Sequence, residues 1–252
     1  MRRSEGRAAP GGAGKQHCSR QEQASVARSD RIRHVLYSLA AALAAPSWAF
    51  AEPPERIPLS QAFKYLADYL ELPSALRNRF HLVFRAMRGT RPATDLRAAI
   101  VSPRGQTQPL PIDSQGNFTR LPTLAQLKSD DELEVKGGPF RFITEIRPDL
   151  PPATRIDVGQ LDAAMAQATA AVAHIAGAFS AMAPKLDTVL FPDAGSGQVV
   201  FADGHAQPLP VTHEYPALGP VPYFRSTTEP GARMVSLTRV PSRLLISAPP
   251  KA

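Results

Sequence analysis

Residues 157–182 read DVGQLDAAMAQATAAVAHIAGAFSAM, and their spacing decides the fold. Leu161, Met165, Ala168, Val172, Ile175, Phe179 and Met182 recur by alternating steps of four and three, lining one face of an α-helix with apolar side chains. Asp157 with Gln160 resembles a capping box, and Pro184 ends the helix. His174 falls on the opposite side, aligned with Gln160 and Gln167, as a solvated residue. Fewer than four heptads and the many alanines disfavour a coiled-coil seam, so the stripe is expected to lie against a sheet.

Outward from that helix, the rest reads mostly as strands. Upstream, PLSQAFKYLADYLEL forms a shorter N-terminal helix, with Ser60 as N-cap and Phe63, Leu66 and Leu70 on one face. Phe80, Leu82, Phe84 and Ala86 then alternate with His81, Val83, Arg85 and Met87 as a strand. Leu96, Ala98 and Ile100 alternate likewise. Leu133 and Val135 turn at Gly137-Gly138-Pro139 into Phe140–Ile143, so this half reads as a meander. Downstream come strands at Leu186–Phe191 and Gln198–Ala202, an Asp203-Gly204 hairpin turn, and a return strand from His205 to Val211. Thr212–Ala232 reads as a proline-rich loop, and Met234–Val240 with Leu244–Ser247 as a last hairpin. No internal repeat is apparent. The predicted class is α+β: an antiparallel β-meander and hairpins packed on one long amphipathic helix, with the shorter N-terminal helix beside them.

Composition limits function. The chain has 252 residues, with 29 Lys and Arg against 22 Asp and Glu. Eight of those bases and three of the acids fall within residues 1–51, leaving the remainder close to neutral. The basicity therefore belongs to the N-terminal segment and does not indicate a nucleic-acid partner. That segment reads as a leader. Arg28, Arg31 and Arg33 precede an apolar run from Val35 to Ala45, then Ala49-Phe50-Ala51 supplies a small-x-small cleavage site. The run is shorter than the roughly 20 residues of a membrane span, so no transmembrane anchor is expected after cleavage between Ala51 and Glu52. Residues 1–25 lack the pattern of a signal peptide, and a start near Val26 would give a leader of ordinary length. Cys18 is the lone cysteine, so the exported part, residues 52–252, is read as a single domain stabilised by its core without disulfides. Of the 26 prolines, 24 follow Ala51, which favours short strands and ordered loops.

The alanine-rich helix with Leu161, then Ala176-Gly177-Ala178-Phe179, Pro184-Lys185-Leu186 and a strand ending at Phe191, resembles a family of exported proteobacterial proteins of unknown function. Ile57-Pro58-Leu59 and the step from Gly116-Asn117-Phe118 to Leu121-Pro122 are similar as well. The resemblance implies export and an α+β build, and no activity.

Chemical motifs are sparse. Asp203, His205, His213 and Glu214 are the one cluster of metal-ligand types, two imidazoles and two carboxylates, and they define the alternative reading of a metal-dependent hydrolase. Against it, Asp203 is already explained by the Asp-Gly turn, and no His-Glu-x-x-His motif occurs. There is no Gly-x-Ser-x-Gly elbow and no dinucleotide fingerprint. Asp130-Asp131-Glu132 with Glu134 is acidic without EF-hand spacing and reads as a solvated strand start. No cofactor is implied. Arg77, Arg79, Arg85, Arg88, Arg91 and Arg97 concentrate positive charge, and Arg85 and Arg97 are expected to project away from the core towards an anionic partner, or simply towards solvent. Tyr215, Tyr223 and Phe224 in the long loop offer rigid apolar area for recognition. The leading expectation is an exported, periplasmic, non-enzymatic envelope protein that binds a partner or ligand, its contact residues being Tyr215, Tyr223, Phe224, Arg85 and Arg97.

Overall fold

The computed structural model describes residues 55–250. The leader, the cut after Ala51, the start near Val26 and Cys18 lie outside the described residues. The first half of the described chain runs β1 (Glu55–Pro58), α1 (Leu59–Ala62), α2 (Leu66–Glu71), β2 (Phe80–Arg88), β3 (Arg91–Pro92), β4 (Arg97–Val101) and β5 (Thr107–Leu110). It closes with α3 (Leu124–Leu127), β6 (Glu132–Lys136) and β7 (Arg141–Pro148). The second half runs β8 (Arg155–Asp157), α4 (Val158–Ala176), β9 (Thr188–Leu190), β10 (Gly197–Phe201) and β11 (Ala206–Pro208). It continues through β12 (Val211–Thr212), β13 (Val221–Arg225), β14 (Ala232–Leu237) and β15 (Leu245–Ser247). The class is α+β, with antiparallel sheets and one long helix.

The sheet orders show an architecture that the sequence reading missed. One four-stranded sheet is ordered β1-β6-β4-β5 and another β8-β14-β10-β11. These are the same sheet built twice. In the first, Ala99 faces Pro109 and Val101 faces Thr107; in the second, Gln198 faces Pro208 and Val200 faces Ala206. Further on, Thr119 N donates to Pro111 O at 3.0 Å, and Tyr223 N donates to Pro210 O at 3.0 Å. The seven-stranded sheet, β12-β13-β9-β15-β7-β2-β3, joins the halves. Leu82 pairs with Ile146 and Val189 with Ile246, and Ile146 pairs with Ile246 across the junction. Equivalent residues facing each other in an antiparallel pair define a local twofold axis.

The expectation of no internal repeat is therefore corrected. Its residue trace is short: Gln108-Pro109-Leu110-Pro111 recurs as Gln207-Pro208-Leu209-Pro210, and Arg56-Ile57 as Arg155-Ile156. Unequal loops and dissimilar helices separate these fragments. The strands read as a meander divide between sheets, because β2 pairs with β7 while β4 pairs with β5 and β6. The last hairpin also dissolves: β14 joins β10 and β8, whereas β15 joins β9 and β7. The loop expected over Thr212–Ala232 contains β13.

Asp157 caps α4, its Oδ1 accepting from Gln160 N at 3.0 Å, which is one half of the expected capping box. It buries Val158, Leu161, Ala164, Met165, Ala168 and Ala171, where the small alanines let the backbone approach the sheet. The N-terminal helix is broken. Phe63 leaves helical geometry at φ −109° and ψ 51°, and Tyr65 takes φ 70°. The break carries the Phe63 ring inward, its centroid 5.1 Å from that of Phe84 and 5.4 Å from that of Phe118. A left-handed non-glycine residue costs about 1–2 kcal/mol, which burial of a phenylalanine, about 1.5–3 kcal/mol, offsets.

Candidate functional site

The seven-stranded sheet turns Leu82, Ile146, Val189 and Ile246 towards the core. Strand alternation then places Val83, Arg85, Glu145, Arg147, Leu245 and Ser247 on its other face. That face holds a buried charge network. Arg85 Nη1 donates to Glu145 Oε1 at 2.8 Å, and its Nε and Nη2 donate to Gln115 O at 3.2 and 2.8 Å. Arg147 Nε donates to Glu145 Oε2 at 2.9 Å, and its Nη2 donates to Asn117 Oδ1 at 3.1 Å. Arg243 brings its Nε to 3.3 Å from Glu145 Oε1. Asp113 Oδ1 accepts from the backbone of Gln115 and Asn117, both at 2.8 Å, and this fixes the turn that covers Arg85. Burial by itself would raise the Glu145 carboxyl, but Arg243, Arg147 and Arg85 together hold it below its ordinary range. Burial lowers Arg243, aided by repulsion from Arg85 and Arg147 and opposed by Glu145 and Asp193.

The same face receives part of the expected recognition set. Tyr223 pairs with Leu190, Leu190 pairs with Leu245, and Leu245 adjoins Ile246, so the row runs from Tyr223 towards Arg147. Tyr215 OH lies 3.0 Å from Ser247 Oγ and its ring packs with Leu218 and Tyr223 over Leu190, Val221 and Leu245. Arg85, Tyr215 and Tyr223 thus lie on one face of the sheet. Two other members do not join them. Phe224 points into the core with no exposed area, so a partner reaches it only if the sheet opens. Arg97 is exposed at the edge of β4, opposite Lys136 in a different sheet. Arg85 projects away from the core aromatics as read, yet Glu145 and the 113–117 turn bury it.

The four residues of the hydrolase reading do not assemble. Asp203 Oδ1 and His205 Nδ1 are 2.5 Å apart at the tip of the β10–β11 hairpin, where the imidazole stacks on Phe201 at 4.0 Å. That hydrogen bond lowers the Asp203 carboxyl. His213 and Glu214 follow β12, and Glu214 N donates to Thr212 Oγ1 at 3.2 Å. Among the described residues no three His, Cys, Asp or Glu side chains gather to hold a metal. The acidic stretch lines an open cleft of about 430 Å³ beside Arg56, which pairs with Glu134 at 3.2 Å and Glu132 at 3.6 Å.

One surface went unread. The apolar stripe of 157–182 packs only along its first part. Past Gly177, which takes φ 54°, the chain continues as a 3-10 turn, Gly177–Met182, leaving Phe179 71% and Met182 82% exposed. From Ile175 to Pro184 no residue is charged. The regular 4,3 spacing concealed this, because spacing shows which side chains share a face and not where the facing sheet ends. Among the described residues no helix is long and apolar enough to cross a membrane. No family model, curated protein or solved structure matches the chain.

Proposed function

We propose that this chain is an exported, periplasmic envelope protein that binds a protein partner and performs no chemistry of its own, akin to the exported proteobacterial family it resembles. One observation carries the reading: the uncharged, apolar end of the α4 segment, where Phe179 and Met182 stand exposed with Ile175 beside them. Burying such side chains against a partner is worth roughly 1.5–3 kcal/mol each. Clustered apolar groups of this kind mark interaction sites more than isolated exposed ones do. The leader pattern, with its Ala49-Phe50-Ala51 site, supports export.

The test is a Phe179→Ser/Met182→Ser variant compared with wild type in the envelope fraction. Both side chains are exposed, so unfolding is expected to shift by less than about 0.5 kcal/mol. In-cell cross-linking from position 178 is expected to trap a discrete partner in wild type and none in the variant. Equal cross-linking in both, or retention of the protein in the cytoplasm, contradicts the proposal.

A further inference from the structure

Near the local twofold axis, the outer face of the seven-stranded sheet holds more guanidinium than it needs. Three arginines converge on the single carboxylate of Glu145. Asp113 and Asp193 are the next acids. Asp113 gives its oxygens to Gln115 and Asn117, and Asp193 attracts Arg243 without an ion-pair contact. Every nitrogen of Arg85 has an acceptor, Nη1 on Glu145 and Nε and Nη2 on Gln115 O. The other two are not. Arg147 donates through Nε and Nη2, and Arg243 through Nη1 to Ser242 Oγ at 3.2 Å, so Arg147 Nη1 and Arg243 Nη2 have no acceptor among the described residues. Arg243 Nε is buried and makes no hydrogen bond of good geometry even at 3.3 Å from Glu145. The Arg147 and Arg243 side chains retain 18% and 11% exposure, so neither is wholly sealed from solvent.

Two guanidiniums that share one carboxylate, Arg147 on its Oε2 and Arg243 beside its Oε1, each keep an unused N–H to offer a planar oxyanion. What lies alongside selects among anions. The row Leu245, Leu190, Tyr223 extends from Arg147, with the Tyr215 ring tethered over it by Ser247. An anion binding here therefore meets an apolar, aromatic flank on one side. We propose that Arg147 and Arg243 bind the carboxylate of a small ligand whose aromatic or apolar body lies against the half-buried rings of Tyr215 and Tyr223. This site is separate from the α4 end, and its ligand is a small molecule and not the docking protein.

Benzoate, its neutral isostere benzamide and inorganic phosphate, at matched ionic strength, test the site on the full exported chain by thermal unfolding and titration calorimetry. Benzoate is expected to raise the midpoint saturably, benzamide to leave it unchanged, and phosphate to bind about tenfold more weakly because it lacks the apolar contact. Arg243→Gln is expected to cost about tenfold in benzoate affinity, the loss of a charged hydrogen bond. If that variant does not fold, the benzoate–benzamide contrast in wild type still decides. Benzamide acting like benzoate, phosphate matching benzoate, or no saturable binding overturns the proposal. None of these results bears on cross-linking at position 178.

Discussion

Glu145 shows how much a single position can carry, since its carboxylate neutralises guanidiniums from three strands or loops at once. Glu145→Gln leaves those charges buried without compensation and is expected to cost about 3–5 kcal/mol in denaturant unfolding at neutral pH. Its pH dependence follows from the depressed carboxyl. The stabilisation is complete above the unfolded-state value, near 4.3, and is lost as pH falls through the lower folded value. Wild type should therefore lose stability in acid more steeply than Glu145→Gln, and parallel slopes would contradict the role. The sequence disclosed Arg85 and the side of its strand from which it projects, because alternation is local. It did not disclose Glu145 as partner, since that pairing spans two strands far apart in the chain. Phe224 was misplaced for a related reason: proline-rich surroundings suggested a loop, whereas β9 recruits the segment as its neighbour.

Among the elements, α4 and the Asp203-Gly204 hairpin were legible because cap, spacing and turn chemistry are all local signals. The break between α1 and α2 was not. Helical spacing continues unbroken through Phe63 to Leu70, and only the aromatic cluster around Phe84, Phe118 and Phe142 draws the Phe63 ring out of the helix. The strain falls on Tyr65, which is exposed and held at φ 70°. Tyr65→Gly is accordingly expected to raise stability by about 0.5–1 kcal/mol, relief of left-handed strain outweighing the greater freedom of the unfolded chain. A loss of stability on chemical denaturation would show that the tyrosine side chain, and not the bend, holds the junction. The exposed end of α4 has the opposite history: its spacing was legible and its lack of a facing sheet was not.

At the scale of the whole molecule, two equivalent halves meet at one antiparallel pair. Fold class was legible from the alternation of strand patterns with one long helix. The duplication was not, although Gln-Pro-Leu-Pro stands at equivalent places in β5 and β11 with the same register towards β4 and β10. Backbone pairing preserves a repeat after side chains diverge, because register depends on which face is buried and tolerates many apolar residues at each site. The halves also differ where binding is proposed: only the second carries the exposed Gly177–Met182 extension, and only the first supplies Glu145, whose equivalent in the second is Leu245. The decisive measurement is a methyl NOESY spectrum of the protein labelled at isoleucine methyl groups, with assignments made by Ile146→Val and Ile246→Val. Direct cross-strand neighbours have Cβ atoms about 4.5–5.5 Å apart, so a strong Ile146–Ile246 cross-peak is expected. Its absence, with both methyls assigned and well resolved, would contradict the twofold junction on which the joined sheet and its arginine face depend.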